Sequence, residues 1–595
     1  LTKNVRSTPA SLTTRSNHMS TEIAEKIRKA AILNAIKHDG RADLQSVLGN
    51  LLGDNPDLRP KAKELVPLIR QTVQQVNSIP QEELTKTAKE KWPEEFVKQH
   101  VEEVRKLPPL PNVEKYSLIV TRMAPNPDFV LHLGNARAAI LSHDYARMYK
   151  GKFIVRFEDT DPRLKKAQLG YYDMIREDLR WLGCEWDEEY IQSDRLEIYY
   201  DVGKTLLSKG AAYVCECEQE KFRGLVNVSK ACPDRAIGAE KQLERWNRML
   251  AGGYEEGQVV FRVKTDLNDP NPAVRDWPGF RVIDTVRNPH PRVGSKFKVW
   301  PLYNMASGVD DHELGITHVI RGKEHLTNMA RQIFMYNHLG WKYPDAVHTG
   351  RLKVQGMNLS KSKLMKGLES GEYEGVDDPR LGTLAALRRR GYLAETIRKV
   401  IWEVGPKPVD VTISWDNINS QNRKLIDATS HRYYYVPEPI TAKISNVPKE
   451  FVVQAPLHPE HPEMGTRVLT VQPKNGVASV FLAGIDKQLL ESAKSARLMG
   501  LFNIKPSKLS NGELSAEFLG EAVAEGEHAP ILQWVPLDEN ITVDVVMPDA
   551  IIKRGLAERG LAKEKVGAVV QFVRFGFGRI DSVSPDHMTL YFAHQ

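Results

Sequence analysis

The chain has 595 residues, 27% of them charged and 41% hydrophobic, which is too long for one core and suggests roughly three to five domains. No run approaches the ~18 consecutive apolar residues that a membrane span needs, and Cys184, Cys215, Cys217 and Cys232 are too few for a disulfide scaffold, so a reducing, cytoplasmic setting is expected. A net charge of +7 permits a polyanionic partner without demanding one.

The first stretch, LTKNVRSTPASLTTRSNH (1–18), is polar and basic without the apolar core of a secretory signal, and it reads as a disordered extension. From 19 to 106 the chain is rich in Ala, Glu, Lys, Leu and Gln. Apolar positions three and four apart, such as Ile27, Ala31, Ile32 and Ala35, predict a small helical domain. LPPLPN (107–112) is a stiff linker by composition.

The apolar run SLIV (117–120) predicts a buried parallel strand. A Pro-rich turn follows, and then ARAAILSHDYARMY, whose spacing and Ala content predict a helix. A helix N-terminus carries unpaired N–H groups and the positive end of a dipole, so a phosphate is at home there. His132, Gly134 and Asn135 stand at that point, and Gly134 leaves room for a flat base.

KFIVRF (152–157) predicts a second strand ending in Glu158, Asp159 and Asp161, at the end where open α/β sheets bind ligands. Between about 213 and 297 the pattern breaks into Cys, Pro and short β-like runs, as an inserted domain would. Strands are expected to resume at 298–301 and 317–322, followed by a helix near Met329 and then a strand and loop carrying Lys361. Helices are expected to about residue 428, and beyond 431 short, partly alternating runs broken by Pro and Gly suggest β-barrels.

His132-Leu133-Gly134-Asn135 resembles the HIGH signature of class I aminoacyl-tRNA synthetases, with Asn in place of the final His. Asn358-Leu359-Ser360-Lys361-Ser362 resembles the KMSKS loop of the same enzymes, with Asn and Leu in its first two places. Both signatures occur in order, each beside an expected strand. From about Tyr116 onward the context resembles the glutamyl/glutaminyl branch, and the archaeal glutamyl-tRNA synthetases most of all. The resemblance implies a multidomain α/β chain: a Rossmann-type catalytic domain (113–212 and 298–366) interrupted by an acceptor-stem-binding insertion (213–297). It further implies a helical connector (367–430) and two anticodon-binding β-barrels (431–595).

The implied reaction is activation of L-glutamate with ATP and Mg²⁺, followed by transfer to the 3′ end of tRNA(Glu). Catalytic roles then fall to His132, Asn135 and Lys361, and ATP contacts to those three with Gly134, Leu359, Ser360 and Ser362. The glutamate pocket falls to Arg122, Ala124, Asn126, Glu158, Tyr303, Ser307 and Arg321. Guanidinium forks suit carboxylates and Glu158 suits the ammonium, while Arg321 favours Glu over Gln because an amide would leave buried charge unpaired. The bland alternative pairs Arg321 with Asp310 or Asp311, in a turn beside the pocket. Arg388, Arg389 and Arg390, read as the head of a helix, are candidates for tRNA phosphate contact. Cys215, Cys217, Cys232 and Asp234 could hold a structural Zn²⁺, the alternative being buried thiols. Rival functions are glutaminyl-tRNA synthesis, charging of tRNA(Gln) with glutamate as well, and a non-catalytic tRNA-binding paralogue.

Overall fold

A computed structural model describes residues 12–37, 41–54, 62–92, 107–357, 360–510, 512–522 and 529–595, and the chain divides into two compact units at Arg105/Lys106. The first unit is helical: α1 (Leu12–Lys37), α2 (Leu44–Asp54), α3 (Ala62–Val76) and α4 (Gln81–Lys91). Its core is the apolar stripe read from the sequence, Ile27, Ala31, Ile32 and Ala35, packed on Leu51, Ile69 and Leu84. Helix α1 begins inside the segment expected as an extension, because residues 12–18 contain no Pro or Gly and run on into the helical pattern. Residues 1–11 lie outside the described residues.

The second unit begins with β1 (Val120–Met123), α5 (Leu133–Met148), β2 (Lys152–Phe157), α6 (Leu169–Trp181) and β3 (Glu188–Ile191). The three strands pair in parallel in the order β1-β2-β3. After α7 (Leu196–Ser208), strands β4 (Ala212–Cys215), β5 (Val260–Val263), β6 (Pro278–Val282) and β7 (Val299–Pro301) form an antiparallel sheet, with α8 (Gln219–Asn227) and α9 (Ala239–Leu250) inside the insertion. The strand at 299–301, expected to resume the parallel sheet, instead pairs antiparallel with β6. An apolar strand buried on both faces reads alike in either sheet, so the sequence pattern does not separate the two.

Then follow α10 (Tyr303–Glu313), β8 (His318–Gly322), α11 (Leu326–Leu339) and β9 (Asp345–Thr349), with β8 and β9 parallel. Strand β8 lies beside β1, where the Thr317 amide donates to the Val120 carbonyl at 2.9 Å. The spatial order β3-β2-β1-β8-β9 reverses direction between β1 and β8, and a crevice opens there at the strands' C-terminal ends, as doubly wound sheets require.

Strand β10 (Leu352–Val354) belongs to neither piece and pairs in parallel with β11 (Val411–Ile413). Between them lie α12 (Lys361–Glu369), α13 (Leu384–Arg389) and α14 (Ala394–Val404), and α15 (Trp415–Ile426) follows β11. Beyond 430, one seven-stranded sheet gathers strands from 432–437 and 540–594, and a second takes strands from 440–536. Each has its own apolar core, one around Val480, Leu482 and Trp534 and the other around Val543, Ile580 and Leu590.

Candidate active site

The crevice at the β1/β8 reversal is a cavity of about 1160 Å³, above the usual range for one small ligand. Arg122, Ala124, Asn126, His132, Gly134, Asn135, Glu158, Tyr303, Arg321 and Ser360 all line it. Two stretches more than two hundred residues apart in the sequence thus share one cleft.

At one end, His132 is the N-cap of α5. Its Nδ1 accepts from the Gly134 amide at 3.0 Å, and its own amide donates to Asn135 Oδ1 at 3.1 Å, a reciprocal cap. Burial lowers the imidazole to about 4, so it is neutral at pH 7. With Nδ1 accepting, the ring proton belongs on Nε2. A Cβ on residue 134 would stand 2.8 Å from His132 Cε1, so Gly134 makes room for the imidazole rather than for a base. Lys361 is the first residue of α12, with Ser360 at the N-cap position and Ser362 exposed, and it forms an ion pair with Asp128 in the turn that leads to His132. Leu359 lies outside the described residues.

At the other end, buried charges are matched in detail. Arg122 Nε and Nη2 reach the two Asp311 oxygens at 3.1 and 3.3 Å. Arg156, fully buried in β2, donates to Asp311 Oδ1 at 2.7 Å and to Glu158 Oε1 at 2.8 Å. Burial would raise Asp311, but Arg122 and Arg156 outweigh it and hold the carboxyl at about 2. Burial raises Glu158 despite the same two arginines. Asp310 takes hydrogen bonds from Arg195 Nε (2.8 Å), Tyr199 OH (2.7 Å) and Gln192 Nε2 (3.1 Å). Asp310 and Asp311 therefore sit inside α10 as buried counter-ions, not in a turn, and neither pairs with Arg321.

Arg321 is 5% exposed and forms no ion pair among the described residues. Its Nη2 donates to Tyr343 OH at 2.8 Å, its Nη1 lies 3.4 Å from Gln332 Oε1, and its Nε has no partner. Ser307 does not line the cleft. Its hydroxyl accepts from Gln332 Nε2 at 2.8 Å and donates to the Tyr303 carbonyl at 2.7 Å, which turns the Gln332 amide oxygen toward Arg321. His325, tilted against Tyr303 at a ring separation of 5.3 Å, is lowered to about 4 by burial and then by Arg321 and Arg122.

The arginine run stands elsewhere. It ends α13 instead of heading it, where cations suit the dipole. Arg390 is buried and donates to the Phe592 and Ala593 carbonyls at 3.2 and 3.0 Å. Arg389 pairs with Asp581 and Asp377, and Arg388 with Glu177. This corrects the expectation of phosphate contact for Arg390, which fastens the connector to the final strand. Ligand atoms of Cys215, Cys217, Cys232 and Asp234 converge within 4.8 Å of one another at the end of β4. Burial raises the Cys217 and Cys232 thiols, which favours the protonated form unless a cation is present.

The catalytic-domain model for class I tRNA synthetases of the Glu and Gln type matches residues 118–428, and the two anticodon-binding models of the same class match 430–519 and 531–581. This chain belongs to the class I glutamyl/glutaminyl tRNA synthetases. Within that family, glutamate–tRNA ligases from Thermococcus onnurineus and Pyrococcus furiosus are each 49% identical to it, covering 96% of this chain and 100% of theirs. The ligase from Hyperthermus butylicus is 44% identical, covering 95% and 100%. His325 lines the synthetase cleft, and Arg156 and Gln332 stand behind its walls, although the sequence alone singles out none of the three. A charged residue inside the apolar strand KFIVRF was the available signal for Arg156. Gln332 and His325 carried none, since polar residues on a helix face or turn usually meet water.

Proposed function

We propose that this chain activates L-glutamate with ATP and transfers it to tRNA(Glu). The observation that carries the reading is one cleft lined by a capped imidazole at a helix N-terminus and by a buried guanidinium that pairs with no carboxylate among the described residues. Arg122 and Arg321 receive the carboxylates of glutamate, and Glu158 receives the ammonium. An oxygen of the α-carboxylate attacks the α-phosphorus of ATP and pyrophosphate departs. A ribose hydroxyl at the tRNA 3′ end then takes the glutamyl group, releasing AMP. His132 supplies a neutral donor from Nε2 and Lys361 a positive charge that exchanges Asp128 for the phosphates, where negative charge accumulates. Mg²⁺ enters with ATP. Residues beyond 430 contact the anticodon, and the insertion grips the acceptor stem. The location is cytoplasmic, in keeping with the absence of any described helix long and apolar enough to cross a membrane.

Three thiolates and a carboxylate within one small sphere suit tetrahedral Zn²⁺, which would tie β4 to the turn at Pro233–Ala236 without touching the reaction. Purified protein is expected to hold one zinc per chain by elemental analysis. Cys232→Ser should lose it, and a metal-free native protein would remove the site.

The function is tested by pyrophosphate exchange with glutamate or glutamine, followed by charging of separate tRNA(Glu) and tRNA(Gln) transcripts. Exchange with glutamate and charging of tRNA(Glu) is the expected result. No exchange under any combination, with or without tRNA, would overturn it, and charging of both transcripts with glutamate would redefine the enzyme as non-discriminating.

A further inference from the structure

Arg137 lies one turn beyond the His132 cap on α5 and is 2% exposed, yet it has no carboxylate partner among the described residues. Its guanidinium instead gathers three backbone carbonyls from two distant segments. Nη1 donates to Gly350 at 2.6 Å, Nε and Nη2 to Gly405 at 3.1 and 2.6 Å, and Nη2 also to Lys407 at 3.0 Å. Gly405 caps the C-terminus of α14 with a φ of 62°, so its carbonyl belongs to the negative end of a helix dipole. The Gly350 amide donates to the Lys407 carbonyl at 2.9 Å, and a Cβ on Gly350 would fall 1.9 Å from the Val409 carbonyl oxygen. Immediately afterward comes β10, which leads to Ser360 and Lys361 and whose strand partner, β11, belongs to the connector and not to the parallel sheet.

The lysine-bearing segment is thus anchored on the connector, outside the parallel sheet that α5 and its His132 cap follow. The fork of Arg137 bridges the two. The geometry points to Arg137 as a positioning residue that sets the spacing between the His132 cap and the strand leading to Lys361, and so the fit of the cleft to ATP. A charged fork aimed at several carbonyls is stiff in direction, which a lysine point charge is not. The inference rests on the ATP-site reading given above.

The test is pyrophosphate exchange and melting temperature for Arg137→Lys, Arg137→Met, Gly350→Ala and Lys361→Ala. Losing one or two charge-assisted hydrogen bonds should raise the KM for ATP roughly 10- to 100-fold in Arg137→Lys, with the KM for glutamate within about twofold of wild type. Gly350→Ala, which displaces the same joint from its other side, should show the same ATP-selective defect. The double variant Arg137→Lys/Gly350→Ala should be less impaired than the product of the single effects. Should Arg137→Met fail to fold, Arg137→Lys and Gly350→Ala still decide the question. An unchanged KM for ATP in Arg137→Lys, or parallel rises for ATP and glutamate, would reduce Arg137 to general packing and overturn the inference. An unaltered Lys361→Ala enzyme would instead overturn the underlying ATP-site reading.

Discussion

Two arginines line the same end of the cleft, and they are held in opposite ways. Arg122 is clamped to Asp311, which also receives Arg156, so its guanidinium is oriented by a protein carboxylate before any substrate arrives. Among the described residues, Arg321 meets the neutral Tyr343 and Gln332, with one nitrogen left over. A buried cation with neutral partners is costly unless an anion arrives, whereas a buried pair is costly only when one partner is removed. The first wall of the pocket therefore holds its arginine in place with protein carboxylates. The second holds its arginine with neutral groups, among the described residues.

The largest effect expected from breaking this contrast is at Asp311. Asp311→Asn leaves two guanidiniums facing each other in the core, and denaturant unfolding should show a loss of about 3–5 kcal/mol together with collapse of glutamate-dependent exchange. Arg122→Met leaves the buried Asp311 with Arg156 as its remaining arginine and should cost about 1.5–3 kcal/mol, the worth of its hydrogen bonds to a charged group. Its mirror, Arg321→Met, strands nothing, and its stability should stay within about 1 kcal/mol of wild type, or rise, while glutamate use fails. Equal destabilisation by both substitutions would erase the contrast.

Smaller still is Ser307→Ala. It frees the Gln332 amide to rotate away from Arg321, and the KM for glutamate should rise by roughly fivefold, the worth of about one neutral hydrogen bond. The smallest effect is expected at the far end of the cleft. His132 takes up a proton only as pH falls through about 4, and that proton would displace the hydrogen bond from the Gly134 amide. Adenylate formation should accordingly show no His132 limb between pH 6 and 8. A limb near 6.5 that disappears in His132→Gln would contradict the neutral cap.

Much of this arrangement was legible before any coordinates. The strand–turn–helix around His132, the carboxylates ending β2 and the second signature at Lys361 are local patterns whose periodicity and end chemistry declare themselves. What escaped was pairwise. That Asp311 belongs to Arg122 and Arg156, or that Gln332 turns its oxygen toward Arg321, depends on contacts over long sequence separations, and residue type does not record them. The run Arg388-Arg389-Arg390 looked like a phosphate grip because three cations in a row imply solvent. Helix geometry instead sends Arg390 inward to the carbonyls of the last strand and the other two to carboxylates. Strand β7 was assigned to the wrong sheet for a related reason, since three apolar residues carry no sign of their partner.

The measurement that bears most directly on the reserved charge of Arg321 is the ratio of kcat/KM for glutamate to kcat/KM for glutamine in pyrophosphate exchange, in wild type and in Arg321→Cys. With the guanidinium held for a side-chain carboxylate, the ratio should fall by roughly two orders of magnitude, because only the charged substrate loses its counter-ion. A ratio that stays constant while both values decline together would show that Arg321 merely shapes the pocket, and the distinction between the two walls would fail.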